Sequence, residues 1–171
     1  MGRHTSNYHQ FALQKVKSFD VVAAGDKTKF IKYFNKLADY IVTYPGIMYK
    51  WEQNMKFNIW LEKQLEGQIP KEVIAFNFNL YECEAENQFD VQLIGCKKYD
   101  LENDDWACDP DYTSGEDLYH FSADGWETAL ESFVALVKDY LRSCCTPNQF
   151  TSADCISAGF VDGDLEIIYH K

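Results

Sequence analysis

The first third of the chain carries hydrophobic residues at helical spacing. In residues 27–44, Phe30, Ile31, Phe34 and Leu37 begin an apolar stripe, and lysines fall largely on the other side. The break at Pro45 and Gly46 ends this predicted helix. A second helix is predicted from about residue 47 to 65, closed by Gly67 and Pro70, and an earlier one over about residues 8–22.

After Gly67 the apolar residues recur at every second position. In residues 73–82, Ile74, Phe76, Phe78 and Leu80 alternate with more polar positions, which predicts a half-buried strand. Residues 89–99 alternate again after a short polar connection, so the two segments are expected to form an antiparallel hairpin. A third strand is predicted over residues 117–121.

The last fifty residues predict one helix followed by two strands. Asp124 is expected to be the N-cap of an amphipathic helix over residues 126–141, with Glu127 as its capping-box partner. Asp162 and Gly163 lie between two apolar strands, a pattern typical of a hairpin turn.

Together these elements predict an α+β fold in one domain, residues 1–171. Residues 1–67 form its helical N-terminal part, and residues 72–171 form a sheet with a helix. The order after the N-terminal helices is β-β-β-α-β-β, and most connections are short enough for antiparallel pairing. We therefore expect a mostly antiparallel sheet that helices cover on one face.

Composition and charge limit the classes of partner that we expect for this protein. Hydrophobic residues make up 46% and aromatic residues 16% of the chain, which is typical of a globular protein. The net charge is −11 and is concentrated in residues 80–117, which carry two basic and twelve acidic side chains. Such a field repels nucleic acid and favours a basic protein partner. No secretion signal or long apolar run is visible, so we expect a cytoplasmic protein with reduced cysteines and no membrane contact.

Residues 100–117 hold eight carboxylates and no lysine or arginine. A calcium loop beginning at Asp109 would need glycine at its sixth position and glutamate at its twelfth, but these are Ser114 and His120. The histidines are scattered, and neither a nucleophile motif nor a phosphate-binding loop is present in the sequence. We therefore predict no metal, no cofactor and no enzymatic activity.

A protein-binding surface remains the best interpretation of the acidic segment, because tryptophan and tyrosine are typical of interfaces and carboxylates suit a basic cleft. The alternative is that Trp106 only packs beneath the loop and anchors it. The predicted partner-binding residues are Glu102, Asp104, Asp105, Trp106, Asp109, Asp111, Tyr112 and Glu116.

The segments "AFNFNLYE", "FDVQLIGCKKYD", "DDWACDP" and "AGFVDGDLEIIY" resemble small acidic bacterial immunity proteins of polymorphic toxin systems. The resemblance covers about residues 75–169. It implies a cytosolic protein that binds and neutralises a cognate toxin domain, often a nuclease, and it supplies no catalytic residues. Two other functions stay open: an enzyme or small-ligand domain with a site between the sheet and the N-terminal helices, and an assembly module that dimerises through its aromatic residues. The oligomeric state is not predicted.

Overall fold

A computed structural model describes residues 45–67, 69–144 and 147–171, and the helices predicted before Pro45 lie outside these ranges. Lys50–Lys171 forms one compact unit, and the helix that opens it begins at Pro45. The regular elements are α1 (Pro45–Leu65), β1 (Ala75–Glu82), β2 (Gln88–Cys96), a 3-10 helix (Asp104–Cys108), β3 (Tyr112–Thr113), β4 (Tyr119–Ser122), α2 (Gly125–Ser143), β5 (Cys155–Phe160) and β6 (Glu166–His170).

The strands form one open, mostly antiparallel sheet in the order β3-β2-β1-β5-β6, and β4 pairs with β2 beyond the end of β3. Only β1 and β5 run parallel, among the described strands. The two hairpins predicted from the sequence are both present, as β1–β2 and β5–β6. The α+β prediction is thereby confirmed.

Both described helices pack on the same face of the sheet. The alternation in β1 buries Phe76, Phe78 and Leu80 on that face. Phe57 of α1 lies in the middle of the layer, and its ring centroid is 5.4 Å from that of Phe133 in α2 and 6.1 Å from that of Phe78. The helical period of α1 and α2 thus places one apolar stripe of each helix against the strands.

The predicted capping box at the start of α2 is wrong in its side-chain bond. Asp124 does occupy the N-cap, but its side chain makes no capping hydrogen bond. Its ψ angle of 82° lies outside the extended geometry usual for a capping residue, and Gly125 follows with a φ of +82°. Two bonds to Asn87 in the β1–β2 turn hold this segment instead: the Ala123 amide donates to its carbonyl (3.1 Å) and the Gly125 amide to its side chain (3.3 Å).

Candidate protein-binding surface

The acidic segment is a closed loop whose two ends are joined beside β2. We call residues 97–111 the acidic loop. The Asp111 amide donates to the Gly95 carbonyl at 2.9 Å. The Asp111 carboxylate accepts from the Lys97 amide at 2.8 Å and lies 3.2 Å from the Lys97 ammonium. This arrangement is that of an Ω-loop, in which the ends of a surface segment meet and its own side chains fill it.

Local hydrogen bonds shape the interior of the acidic loop. The Asp100 side chain accepts from the Glu102 amide at 3.0 Å, and the Asn103 side chain accepts from the Asp105 amide at 3.1 Å, where it caps the 3-10 helix. Asp and Asn commonly stabilise turns by bonding the backbone two residues ahead. The clustered acidic and amide residues therefore help to form the loop as well as to charge it.

Two aromatic side chains hold the acidic loop on the face of the sheet opposite the helices. Ile156 and Ala158 of β5 belong to the helix-side core, so Cys155, the first residue of β5, faces the other way. The Tyr99 hydroxyl lies close enough to the Cys155 thiol for each group to affect the pKa of the other, and burial is the larger effect on both. Trp106 packs edge-on against Tyr99, with ring centroids 5.7 Å apart and planes at 88°. The Trp106 ring thus has a structural contact, whatever else it does.

The acidic loop also touches the connection between β5 and β6. The Asp104 carboxylate accepts from the Leu165 amide at 3.4 Å. The Trp106 indole nitrogen is buried and has no hydrogen-bond partner within the described part of the chain. Trp106 as a whole is half-buried, whereas Asp104 and Asp105 are exposed. The loop therefore turns its ring inward and its carboxylates outward.

The structure does not gather all of the predicted binding residues in one place. Six of the eight belong to the acidic loop, and they are Glu102, Asp104, Asp105, Trp106, Asp109 and Asp111. The Asp111 carboxylate closes the loop through its contacts with Lys97, which we call the clamp. Tyr112 lies opposite Gly95 and packs against the helix-side core, with its hydroxyl 3.4 Å from the Gln64 carbonyl. Tyr112 is thus on the helix side of the sheet, whereas Trp106 packs against Tyr99, which lies beside Cys155 on the opposite face.

Glu116 lies in the short connection between β3 and β4, outside the acidic loop. That connection is tied to α1, because Asp117 accepts from the Gln64 amide group at 2.8 Å and pairs with the Lys63 ammonium at 2.6 Å. Its backbone carbonyl accepts from the Trp60 indole at 3.0 Å. Glu116 itself is exposed.

Most of the carboxylates between residues 100 and 117 face solvent without a cationic neighbour. Of the eight, only Asp111 and Asp117 form an ion pair with a described lysine or arginine. Hydrogen bonds from Lys97 lower the pKa of Asp111, and those from Lys63 and Gln64 lower the pKa of Asp117. The other six have charges available to an incoming cation, and they are Asp100, Glu102, Asp104, Asp105, Asp109 and Glu116.

Three of the described cysteines are not activated nucleophiles. Burial raises the pKa of Cys96 and that of Cys155 to about 11. Burial and the carboxylate of Asp90 raise the pKa of Cys83. These three thiols stay protonated at neutral pH, and a thiol is a far weaker nucleophile than a thiolate.

The space between α1 and the sheet is occupied by aromatic side chains. Phe57, Trp60 and Tyr119 are all less than a tenth exposed there, and Phe57 and Tyr119 have ring centroids 5.4 Å apart. Among residues 45–67, 69–144 and 147–171, no group of three or more His, Cys, Asp or Glu side chains is arranged to hold a metal ion. In the same ranges no helix is long and apolar enough to cross a membrane.

Sequence reasoning did not identify Tyr99 or Asp111 as the residues that hold the acidic loop. Tyr99 follows two lysines beyond the end of β2, where the alternating pattern no longer specifies a side. The clamp by Asp111 joins residues fourteen positions apart, which no local pattern encodes.

No protein-family model, curated protein or solved structure matches the chain significantly.

Proposed function

We propose that this protein binds a basic protein partner through the acidic loop. The observation that carries the proposal is a fixed loop whose carboxylates stay exposed. Backbone and ring contacts hold the loop on the sheet, while Glu102, Asp105 and Asp109 make no hydrogen bond or ion pair through their side chains with other described residues. A preformed anionic surface binds with less loss of conformational entropy than a mobile one.

The partner's chemistry follows from the charge. Carboxylates presented together attract arginine and lysine over several ångströms and raise the rate of encounter, an effect that salt screens. Arginine pairs with two carboxylate oxygens at once, which adds direction to the attraction. Nucleic acid is disfavoured as a direct ligand because its phosphates carry the same sign of charge as the loop.

Neutralisation of a toxin is the biological role that we propose for this binding. The support is the resemblance of residues 75–169 to bacterial immunity proteins, together with the fixed acidic surface. A nuclease domain binds nucleic acid through basic residues. An acidic protein that covers those residues would exclude the substrate without any chemistry of its own.

The experiment compares two variants of equal charge change. Glu102→Gln, Asp105→Asn and Asp109→Asn together remove three exposed charges and spare Asp104 and Asp111, which hold the loop. The matched control removes three other exposed carboxylates that make no side-chain bond with described residues, and they are Glu66, Glu72 and Glu131.

Each protein is immobilised and used to capture a partner from a bacterial lysate, and the captured protein is then purified and its association rate measured. We expect a basic partner whose association with the loop variant is about tenfold slower at about 0.01 M salt, where the Debye length is about 30 Å. At about 0.15 M salt the difference shrinks. Equal rates for the loop variant, the control and the wild type would refute the proposal, and a captured nuclease that stays active when bound would refute the neutralising role.

A further inference from the structure

Three connections meet at one end of the sheet. They are the β1–β2 turn, the segment before α2 and the β5–β6 connection. The Ala123 amide donates to the Asn87 carbonyl at 3.1 Å, which joins the first two. The Val161 amide donates to the Leu80 carbonyl at 3.3 Å, which joins the third to β1. These bonds fix the relative positions of the three segments.

An exposed indole lies at this end. Trp126, in the first turn of α2, is 55% exposed, and its ring stands edge-on against Phe160 with centroids 6.5 Å apart. Val161, directly after Phe160, is 50% exposed. Trp60, by contrast, is 8% exposed and belongs to the core, whereas Trp126 does not. A fixed apolar patch of this kind is typical of a contact surface.

The segments that meet at this end are rich in carboxylates. The segments 82–88, 122–131 and 160–166 contain no lysine or arginine. Among the described residues, the only ion pair formed by a carboxylate of these segments is that of Glu166 with Lys138, at 3.6 Å. The exposed and unpaired carboxylates nearest the three connections are Glu82, Glu84, Glu86, Asp124, Glu127, Asp162 and Asp164.

We infer that the patch of Trp126 and Val161 docks an arginine-bearing segment of a protein partner. An indole face attracts a guanidinium through the ring quadrupole, and the planar guanidinium also stacks on the ring while its N–H groups bond carboxylates. A second copy of this chain would bring the same negative charge to the same place and is disfavoured. The negative charge around Trp126 thus favours a cationic partner, and the indole ring provides the surface on which a guanidinium stacks.

This surface is distinct from the acidic loop. Its residues belong to the connections between strands and before α2, whereas the acidic loop lies on the face of the sheet. Among the described residues, the hydrogen bond that joins the two regions is the one from the Leu165 amide to the Asp104 carboxylate. The inference does not depend on the proposed function, and variants of each region can be tested separately.

The test is a titration of the full chain with hexa-arginine amide, followed through the indole N–H signals in a two-dimensional NMR spectrum. Trp51 is an internal control, because it is 50% exposed but is adjacent to Lys50. We expect the Trp126 signal to shift more than the Trp51 signal, and hexa-lysine amide to bind about two- to fivefold more weakly, since it lacks the stacking guanidinium.

Variants then assign the binding. Trp126→Leu keeps an apolar side chain and should weaken hexa-arginine about two- to fivefold. Glu84→Gln, Glu86→Gln and Asp162→Asn together should abolish most of the Trp126 shift, whereas the loop variant defined above should leave it in place. A Trp126 signal that moves no more than that of Trp51 overturns the inference, as does equal binding of hexa-lysine. A Trp126 shift that is lost only in the loop variant also overturns the inference. These comparisons use the indole signal of Trp126 and therefore do not depend on whether Trp126→Leu folds.

Discussion

Replacing Trp106 tests whether its side chain holds the acidic loop on the sheet. The indole packs edge-on against Tyr99 with ring centroids 5.7 Å apart, and its nitrogen is buried without an acceptor among the described residues. Trp106→Phe keeps a ring and removes that nitrogen. Trp106→Ala removes the ring as well. The two variants therefore differ in the contact that we hold responsible for the position of the acidic loop.

The expected magnitudes follow from the contacts. An edge-on aromatic pair contributes about 0.5–1.5 kcal/mol. A half-buried indole hides on the order of 100 Å² from water, which at about 25 cal/mol per Å² corresponds to about 2.5 kcal/mol. Relief of the unpaired indole nitrogen returns about 1–3 kcal/mol in both variants. We expect Trp106→Ala to destabilise by up to about 3 kcal/mol and Trp106→Phe to remain within about 1 kcal/mol of the wild type.

The assay is hydrogen exchange of the backbone amides of residues 97–111, with urea unfolding as the global measure. Trp106→Ala should speed exchange in the acidic loop more than in β1 or α2, because local opening requires less than global unfolding. Trp106→Phe should leave exchange near the wild-type rate. Equal exchange in the two variants would show that the ring does not hold the loop.

Three further predictions concern hydrogen bonds and packing within the fold. The pKa of Asp111 is below its ordinary value of 3.8, so the stability from its clamp is complete above that pH and is lost as the pH falls through the lower folded-state value. The protection of the Lys97 amide, which is the intrinsic exchange rate divided by the observed rate at the same pH, should fall there in the wild type and stay constant in Asp111→Asn. A Cβ added at Gly95 would lie 2.8 Å from the Val73 side chain, so Gly95→Ala should cost about 1–3 kcal/mol in urea unfolding, and Val73→Ala in the same chain should recover part of it. The buried hydroxyl of Tyr140 donates to a glutamate at 2.6 Å and accepts from an asparagine at 3.2 Å, so Tyr140→Phe should lower the free energy of unfolding by about 1–2 kcal/mol, and an unchanged value would contradict this role.

The periodic segments of the sequence were sufficient to predict the fold from residue 45 onward. Alternation in residues 73–82 predicted β1, and the apolar stripe of residues 126–141 predicted α2 to within two residues at each end. These predictions succeed because burial on one face imposes a period on the sequence. The predicted capping bond of Asp124 failed because the Asn87 contact, thirty-eight residues away, determines the geometry at Gly125.

The structure of the acidic loop and the positions of the surface aromatic residues were harder to predict from the sequence. The density of carboxylates identified the acidic segment, but the 3-10 helix inside it and the two-residue strand β3 have no period to detect. Tyr112 and Trp106 were assigned to one patch because they are six residues apart, yet the turn at Asp111 places them on opposite faces. Trp126 was counted in the apolar stripe of the helix predicted over residues 126–141, because its position fits the helical period, but it is 55% exposed.

The most direct test of the central claim is the association rate between the purified captured partner and this protein as salt is varied, with the wild type, the loop variant and the matched control measured in parallel. We predict that the partner is basic, that its association slows steeply with salt for the wild type and the control, and that the loop variant is slower with a shallower dependence. Three identical salt dependences would contradict the claim that the acidic loop is the binding surface.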